Sequence, residues 1–515
     1  MSADGAGDRA PIGERSVLLL LTLAALGVRT ARMLSAAHPL GTDGYYYVVQ
    51  VQSLLAEGRL HVPDASWVHG WLAAAAGLAG DPVLGVKLGA AALAAACVPA
   101  AWLAGRTLGQ GRTAAWVLAA WAASSPTLTH LAGDFPKNLG LAAPWLLLLA
   151  LLAGPAASGG TAARGGGRVA LVALLVLVMA SAHRTGAALV LLAGLGWVLG
   201  WLGRRAGRPQ GQRGAGGAGS TWRGVLVVLG CFALFAVGST LLPAWLHPAD
   251  LARLEGRFAL QPHLPAPWGW LALRPTGLWQ VVELSVPWLA LAAAAPAWFA
   301  RPAARPWIGA LALPLTGLLF PAWRVDELDL GYRLSLLAPL AAMPLGVLLL
   351  APWLRQAPAR PPLLLIGLAL VLTPGAWSGI DPGAAPPYDR YRQVLENIPR
   401  PLPELLIAHQ GMSFYYDHLT GREAMAWAPE PQLDRRTVGR VVHGVRAGEW
   451  LAFAPPEPGV PRPLALGFGY HYVREDLWER FLERAEAEGD EDLAARLAAW
   501  RNPRAVRPAH LLRGR

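Results

Sequence analysis

Long apolar stretches, separated by short arginine-rich segments, constrain this chain more than any other feature of its sequence. The runs 16–34, 82–103, 113–131 and 334–354 each approach the ~20 residues that cross a bilayer as a helix. Only 15% of the 515 residues are charged, whereas about a quarter are charged in a typical soluble domain. The pattern predicts a polytopic helical membrane protein.

The positive charge of the chain indicates topology rather than a nucleic-acid partner. The net charge is +11, but binding to nucleic acid needs a basic face on a soluble module. Here the segments between apolar runs include five that together hold 13 arginines and no acid. Arginine-rich short loops stay in the cytoplasm. Nucleic acid is therefore excluded, and the loops predicted to be cytoplasmic are 105–112, 154–168, 204–223, 301–306 and 355–360.

Segments that carry Asp and Glu alternate with these loops. They are predicted to lie on the extracytoplasmic side of the cell membrane, which is the inner or plasma membrane. The N-terminus is then cytoplasmic and the C-terminus extracytoplasmic. The stretch 67–79 is too short for a comfortable span and is predicted to lie at the outer interface. His183 and Arg184 divide 169–203 into a hairpin, because one continuous helix would move the next arginine-rich loop outside. The eleven predicted spans are 16–34, 82–104, 113–131, 139–153, 169–182, 186–203, 224–245, 279–300, 307–323, 332–354 and 361–377.

The composition changes from about Ser378 onward, where 19 of the 33 acidic residues lie and no spanning run occurs. We therefore predict a transmembrane domain over 1–377 and an extracytoplasmic soluble domain over 378–515. The predicted fold class is an all-α polytopic transmembrane bundle of about 11 to 12 spans with a small α/β or α+β C-terminal domain. Its predicted elements are strands at 405–408 and 424–428 and helices at 413–419 and 475–500.

The most informative stretch is the segment 41–50, GTDGYYYVVQ, which follows the first predicted span. Asp43 is predicted to cap a helix that begins here, because a carboxylate accepts hydrogen bonds from the free amides at a helix start. The three tyrosines after it suit a membrane headgroup zone. A structural cap with interfacial tyrosines explains the segment as well as a functional site does.

A second polar segment, 133–138 or GDFPKN, lies between the third and fourth predicted spans. The charge topology places it on the same face of the membrane as Asp43. Asp134, Lys137 and Asn138 supply an acid, a cation and an amide near a helix start. An ordinary polar turn has the same composition, so the segment alone leaves both interpretations open.

Together the two segments resemble those of the GT-C membrane glycosyltransferases, in particular the oligosaccharyltransferase and protein mannosyltransferase branches. The resemblance is strongest over 16–150 and architectural beyond. It implies that Asp43 is a general base or metal ligand and that Asp134 contributes to the same site. It also implies a divalent cation, Mg or Mn, held by these two carboxylates. The implied partners are a polyprenyl-phosphate sugar donor, membrane lipid, and an extracytoplasmic lipid, glycan or protein acceptor.

Other candidates follow from charge and position. Arg184 and Arg333 lie at predicted outer ends of spans, where arginine binds phosphate through two parallel hydrogen bonds, although snorkelling or local pairing explains them equally well. Glu283, four residues into the eighth predicted span, is an ionisable group near the edge of the lipid and hence a functional candidate. The remaining substrate-binding candidates are Tyr45, Tyr46, Lys137, Asn138, His183 and Tyr332.

Two other functions remain open from the sequence. A lipid-linked glycan flippase or transporter would carry its key charges at the bilayer midplane, and a non-catalytic scaffold for envelope assembly would act through its outer domain. The C-terminal domain lacks the Trp-Trp-Asp segment with which the oligosaccharyltransferase branch recognises its acceptor. Transfer of whole oligosaccharides to asparagine is therefore disfavoured.

Overall fold

Most of the chain is described by a computed structural model, and the described part is predominantly α-helical. The described residues are 12–41, 43–109, 111–154, 162–206, 260–262, 267–271, 277–321, 323–325, 330–356, 373–379, 388–389, 406–421 and 424–427, with isolated positions between 273 and 491. The helices are α1 (Ile12–Leu34), α2 (Gly44–Glu57), α3 (Trp67–Ala79), α4 (Pro82–Leu108), α5 (Arg112–Ser124), α6 (Pro126–Asp134), α7 (Pro136–Leu139), α8 (Ala142–Ala153), α9 (Ala162–Ala182), α10 (Arg184–Ala206), α11 (Trp268–Leu271), α12 (Leu278–Ala300), α13 (Arg305–Leu319), α14 (Leu330–Gln356) and α15 (Gln410–Thr420).

Helices suited to a bilayer are numerous, as the apolar runs predict. Within the described ranges, six are long and apolar enough to cross a membrane. They coincide with the first, second, fourth, sixth, eighth and tenth predicted spans. The predicted span 224–245 and most of 361–377 lie outside the described residues. The six are Gly13–Leu34, Pro82–Leu108, Pro136–Ala153, Thr185–Arg205, Leu278–Ala300 and Arg333–Gln356.

The third predicted span, 113–131, is not one helix. It is divided into α5 and α6, with Ser125 between them in an extended conformation. Pro126 lacks a backbone amide and so cannot continue the hydrogen-bond ladder of α5. The hydroxyl of Ser125 instead caps the new helix by accepting from the amide of Leu128 at 3.1 Å.

The predicted interruption within 169–203 is present, because α9 ends at Ala182 and α10 begins at Arg184. Helix α10 then packs closely against α13. A Cβ on Gly196 would lie 2.0 Å from the carbonyl oxygen of Gly309, and a Cβ on Gly309 would lie 2.1 Å from that of Gly196. Only glycine allows the two backbones to approach this closely.

Within the described residues, four short strands form two separate pairs. Strands β1 (Leu260–Pro262) and β2 (Trp323–Val325) are antiparallel, with Gln261 opposite Arg324. Strands β3 (Leu406–His409) and β4 (Ala424–Trp427) are parallel and are connected through α15. This strand–helix–strand unit occupies the positions predicted from the sequence, whereas β1 and β2 were not predicted. The predicted helix 475–500 lies outside the described residues except at isolated positions.

The chain divides into two compact units. Unit 1 contains Met1–Ala37 and Val62–Asp381, and unit 2 contains His38–His61 and Pro382–Arg515. Residues 38–61, which the sequence places in the transmembrane domain, are thus grouped with the C-terminal residues. The grouping has a visible cause in unit 2, where Tyr45 of α2 packs against Tyr415 of α15 with 4.8 Å between ring centroids.

Candidate active site

The first acidic segment belongs to unit 2 and places Asp43 directly before α2. Asp43 is the N-cap residue, and it is buried, with 8% of its surface exposed. Its side chain, however, makes no capping hydrogen bond to the helix. The predicted capping role is therefore wrong, and the carboxylate is not committed to the first amides of α2.

The tyrosines after Asp43 are packed inside unit 2 rather than exposed as an interfacial belt. Tyr45 and Tyr46 are 3% and 6% exposed. The hydroxyl of Tyr45 lies 2.8 Å from Nδ1 of His38, and that of Tyr46 accepts from Gln50 at 3.2 Å. The ring of Tyr45 also contacts Tyr388, whose hydroxyl donates to the carbonyl of Gly41 at 3.2 Å. These contacts hold the backbone on both sides of Asp43.

The second acidic segment belongs to unit 1, where Asp134 is the last residue of α6. Its Oδ2 atom lies 3.9 Å from Nε2 of His130, one helical turn earlier. Two residues further, Pro136 starts the short helix α7, which contains Lys137 and the buried Asn138. The segment is thus a tight joint between two helices, and it presents an acid and a cation on either side of Pro136.

Lys137 is held by Asp64, a residue that the sequence did not single out. Its Nζ atom donates to Oδ2 of Asp64 at 2.7 Å. The same oxygen lies 3.3 Å from Nε2 of His69, and Oδ1 accepts from the amide of Ser66 at 2.9 Å. The sequence offered one signal that Lys137 has an acidic partner. It is one of only two lysines in an arginine-rich chain, and a partly buried cation requires a partner.

This cluster has defined protonation preferences. Burial alone would favour the neutral carboxyl of Asp64, but the hydrogen bond with His69 and the charge of Lys137 outweigh it and hold the pKa of Asp64 well below its usual range. Burial also lowers the pKa of His69, against the opposing effect of Asp64. The surroundings therefore favour the ionised carboxylate of Asp64 and the neutral imidazole of His69.

Arg333 lies against the same segment as Lys137. Its guanidinium carbon is 4.5 Å from the centroid of the Phe135 ring, in a cation–π arrangement. The structure therefore brings three predicted site residues, Asp134, Lys137 and Arg333, to one short stretch of unit 1. Tyr332 lies next to Arg333 in α14, and its side chain is outside the described residues.

The turn between α9 and α10 contains two further candidates. Nδ1 of His183 lies 2.7 Å from the hydroxyl of Thr185 and accepts from the backbone amide of Thr185 at 3.2 Å. His183 thus caps the start of α10. Arg184 is the first residue of that helix, and its side chain lies outside the described residues.

Glu283 lies at the opposite end of α6 from Asp134. It is 4% exposed, so it does not reach an aqueous interface. Oε1 accepts from the indole of Trp121 at 2.7 Å and from the hydroxyl of Ser125, and Oε2 accepts from the amide and hydroxyl of Thr127 at 2.9 and 2.6 Å. Both carboxylate oxygens are thus occupied by donors of the protein.

The described residues do not include a cluster of side chains that could coordinate a metal ion. No three His, Cys, Asp or Glu residues among them lie close enough together to hold a metal ion. A divalent cation on Asp43 and Asp134 stays a prediction, and the chemistry of the other residues is considered without it.

Comparison with solved structures identifies the fold. The chain is similar to ArnT from Cupriavidus metallidurans bound to undecaprenyl phosphate, with a TM-score of 0.52 and 15% identity over 85% of this chain and 89% of that one. The apo state of ArnT gives a TM-score of 0.51 at 15% identity over 84% and 89%. The apo oligosaccharyltransferase of Archaeoglobus fulgidus gives 0.49 at 12% identity over 80% and 64%. No protein-family model matches the chain, and no curated protein matches it.

The likeness to ArnT extends over most of both chains. It shows a common fold and nothing further about the site, because an identity of 15% does not establish that side chains are shared. The chain thus shares its polytopic helical fold with ArnT.

Proposed function

We propose that this chain, with its GT-C fold, is a membrane glycosyltransferase that moves a sugar from a polyprenyl-phosphate donor to an extracytoplasmic acceptor. The observation that carries the proposal is the fold likeness to ArnT, which was solved with undecaprenyl phosphate bound. The two acidic segments support it. Asp43 is buried directly before α2 and is followed by buried tyrosines, and Asp134 ends α6 next to Phe135, which Arg333 contacts.

The reaction requires one bond to form and one to break at the anomeric carbon of the sugar. The acceptor hydroxyl attacks this carbon and loses its proton to a general base, while the bond from the carbon to the phosphate oxygen breaks. The electron pair of that bond leaves with the polyprenyl phosphate. Asp43 is assigned as the base, because the first acidic segment resembles that of the GT-C glycosyltransferases and its carboxylate is buried directly before α2.

The leaving phosphate requires positive charge that is already in place. Lys137 and Arg333 are assigned to it, because Lys137 lies in the segment that follows Asp134 and Arg333 contacts Phe135 of that segment. Arginine binds a phosphate through two parallel hydrogen bonds, and lysine contributes a compact charge. Asp134 is assigned as the second acid of the reaction. The remaining substrate contacts proposed from the sequence are Tyr45, Tyr46, Asn138, His183, Arg184 and Tyr332.

The proposal is tested by profiling lipid-linked sugars and surface glycans in cells that express the wild type, Asp43→Asn or Asp134→Asn. The expected result is that each variant accumulates an unused lipid-linked sugar and lacks one glycan. Glu57→Gln is the matched control, because Glu57 is an exposed carboxylate near the end of α2 that pairs with Arg59 at 2.8 Å. Profiles of Asp43→Asn and Asp134→Asn that equal the wild-type profile would refute the assignment.

Purified protein in proteoliposomes distinguishes the other two functions. A panel of radiolabelled polyprenyl-phosphate hexoses and pentoses is supplied with extracted cell-envelope acceptors. Transfer is seen as label in a product that no longer extracts with the donor lipid. Label that becomes protected inside the vesicles without a new glycosidic bond would indicate a flippase. A phenotype that survives Asp43→Asn but is lost on deletion of 378–515 would indicate a scaffold.

A further inference from the structure

The break between α5 and α6 exposes backbone groups inside the bundle. Where a helix ends, its last carbonyls and the first amides of the next helix lose their partners within the helix. Lipid offers no hydrogen bonds, so irregular backbone at membrane depth requires partners from the protein. The residues that meet this need at Ser125 come from two distant helices, α1 and α12.

Glu283 of α12 serves the start of α6. Its Oε2 atom accepts from the backbone amide of Thr127 at 2.9 Å and from the hydroxyl of the same residue at 2.6 Å. A negative charge at a helix start is favoured by the helix dipole. Glu283 therefore satisfies a second free amide at the start of α6, in addition to the amide of Leu128 that Ser125 caps.

Arg29 of α1 serves the end of α5. One terminal nitrogen donates to the carbonyl of Ala122 at 2.7 Å and to that of Ser125 at 3.3 Å, and Nε donates to the hydroxyl of Thr129 at 3.2 Å. The side chain is fully buried. A positive charge at a helix end is favoured for the same electrostatic reason.

A third contact completes the support, since the indole of Trp279, also on α12, donates to the carbonyl of Ser124 at 3.0 Å. The carboxylate of Glu283 thus lies at the start of α6 and the guanidinium of Arg29 at the end of α5. Each charge is at the helix end where the helix dipole favours it. Hydrogen bonds from α1 and α12 thus hold the backbone on both sides of Ser125.

We propose that Arg29 and Glu283 are positioning residues that orient α6 and thereby set the location of Asp134 at its far end. The inference rests on the proposed glycosyl transfer, in which Asp134 takes part. It differs from a substrate-binding role for Glu283, because both oxygens of that carboxylate accept hydrogen bonds from the protein itself. A carboxylate so occupied acts through the helix that it caps.

The test uses a matched pair at the position that receives Glu283. Thr127→Val removes the hydroxyl that donates to Oε2 and keeps the shape, whereas Thr127→Ser keeps the hydroxyl. Glu283→Gln removes the charge. Ser285→Ala on the same helix is the control, because its hydroxyl is exposed and donates to Val281 of its own helix at 2.8 Å.

Sugar transfer is measured per folded molecule, with the folded fraction taken from size-exclusion profiles in detergent. We expect kcat to fall by roughly 10- to 100-fold for Glu283→Gln and Thr127→Val, the loss that a displacement of about 1 Å produces. The KM for the lipid donor stays within about twofold, since substrate binding is not touched. Thr127→Ser and Ser285→Ala keep wild-type values. An increase in KM at constant kcat, or unchanged transfer per folded molecule, overturns the inference.

Amide hydrogen exchange provides a measurement that does not depend on activity. Peptides that cover 125–134 are expected to exchange faster in Glu283→Gln and Thr127→Val than in the wild type, while peptides from α8 are unchanged. Equal exchange in 125–134 overturns the inference even if transfer is confirmed. Faster exchange combined with a wild type that transfers no sugar refutes the proposed function and leaves the orienting role of Glu283 supported.

Discussion

Lys137 donates a 2.7 Å hydrogen bond to Asp64, which lies 73 positions earlier in the chain. The contact joins α7, in which the second acidic segment ends, to the loop before α3. Asp64 also contacts His69, so one carboxylate oxygen serves two basic side chains. The cation proposed to meet the leaving phosphate is therefore held by a partner within unit 1.

Asp64→Asn is expected to destabilise the protein. Removal of one partner from a largely buried ion pair leaves the other charge uncompensated, at a cost of about 3–5 kcal/mol. The free energy of unfolding is measured by SDS or thermal denaturation in detergent. The double variant Asp64→Asn with Lys137→Met is expected to lose less than the single variant, because no charge is stranded. A double variant that loses the sum of both single effects would contradict the pairing.

His69 is expected to make stability decrease in mild acid. Because the pKa of His69 is lowered on folding, its stabilising contribution is fully present above the ordinary histidine pKa of about 6.5 and is lost as the pH falls toward the folded value. Asp64, whose pKa is also lowered, loses its contribution only below the ordinary carboxyl range of about 4. Melting temperatures between about pH 7 and 5 should therefore fall more steeply in the wild type than in His69→Asn. Parallel curves would show that His69 binds protons equally well in both states.

Phe135→Leu is expected to weaken the hold on Arg333. The cation–π contact of this arginine at 4.5 Å is worth about 0.5–1.4 kcal/mol, which corresponds to a rise of about 2- to 10-fold in the KM for the lipid donor. Phe135→Tyr retains an aromatic face and should keep the wild-type KM. Steady-state transfer assays on both variants make the comparison. A leucine variant with the KM of the tyrosine variant would exclude this role for the ring.

Gly309→Ala is expected to disrupt the packing of α10 on α13. The added methyl group would meet the carbonyl oxygen of Gly196 at 2.1 Å, so the two backbones must separate. We expect a loss of about 1–3 kcal/mol, as overpacking produces, measured by thermal unfolding. Gly346→Ala is the control, because its Cβ would meet nothing within 4 Å and alanine favours the helix. If both substitutions lower stability equally, close backbone packing is not the cause.

Local features could be predicted from residues near one another in the chain. Apolar length predicted the long helices, the polar pair His183 and Arg184 predicted the break between α9 and α10, and short apolar runs predicted β3 and β4. The break at Ser125 was missed although Pro126 follows it, because the apolar run continues across both residues. The position of Asp43 before α2 was predicted, but its side-chain bonding was not.

The sequence by itself determined that the chain is a helical membrane protein, since segment length and the placement of arginine depend only on the chain and the bilayer. It also determined which two acidic segments carry the resemblance to GT-C glycosyltransferases. Only the tertiary structure decided the partners of the polar side chains. Glu283 meets Ser125 across 158 positions and Lys137 meets Asp64 across 73, and such contacts depend on which helix faces pack together. Buried charges acquire their roles from that packing, because inside the bundle each must find its partner in another helix or loop.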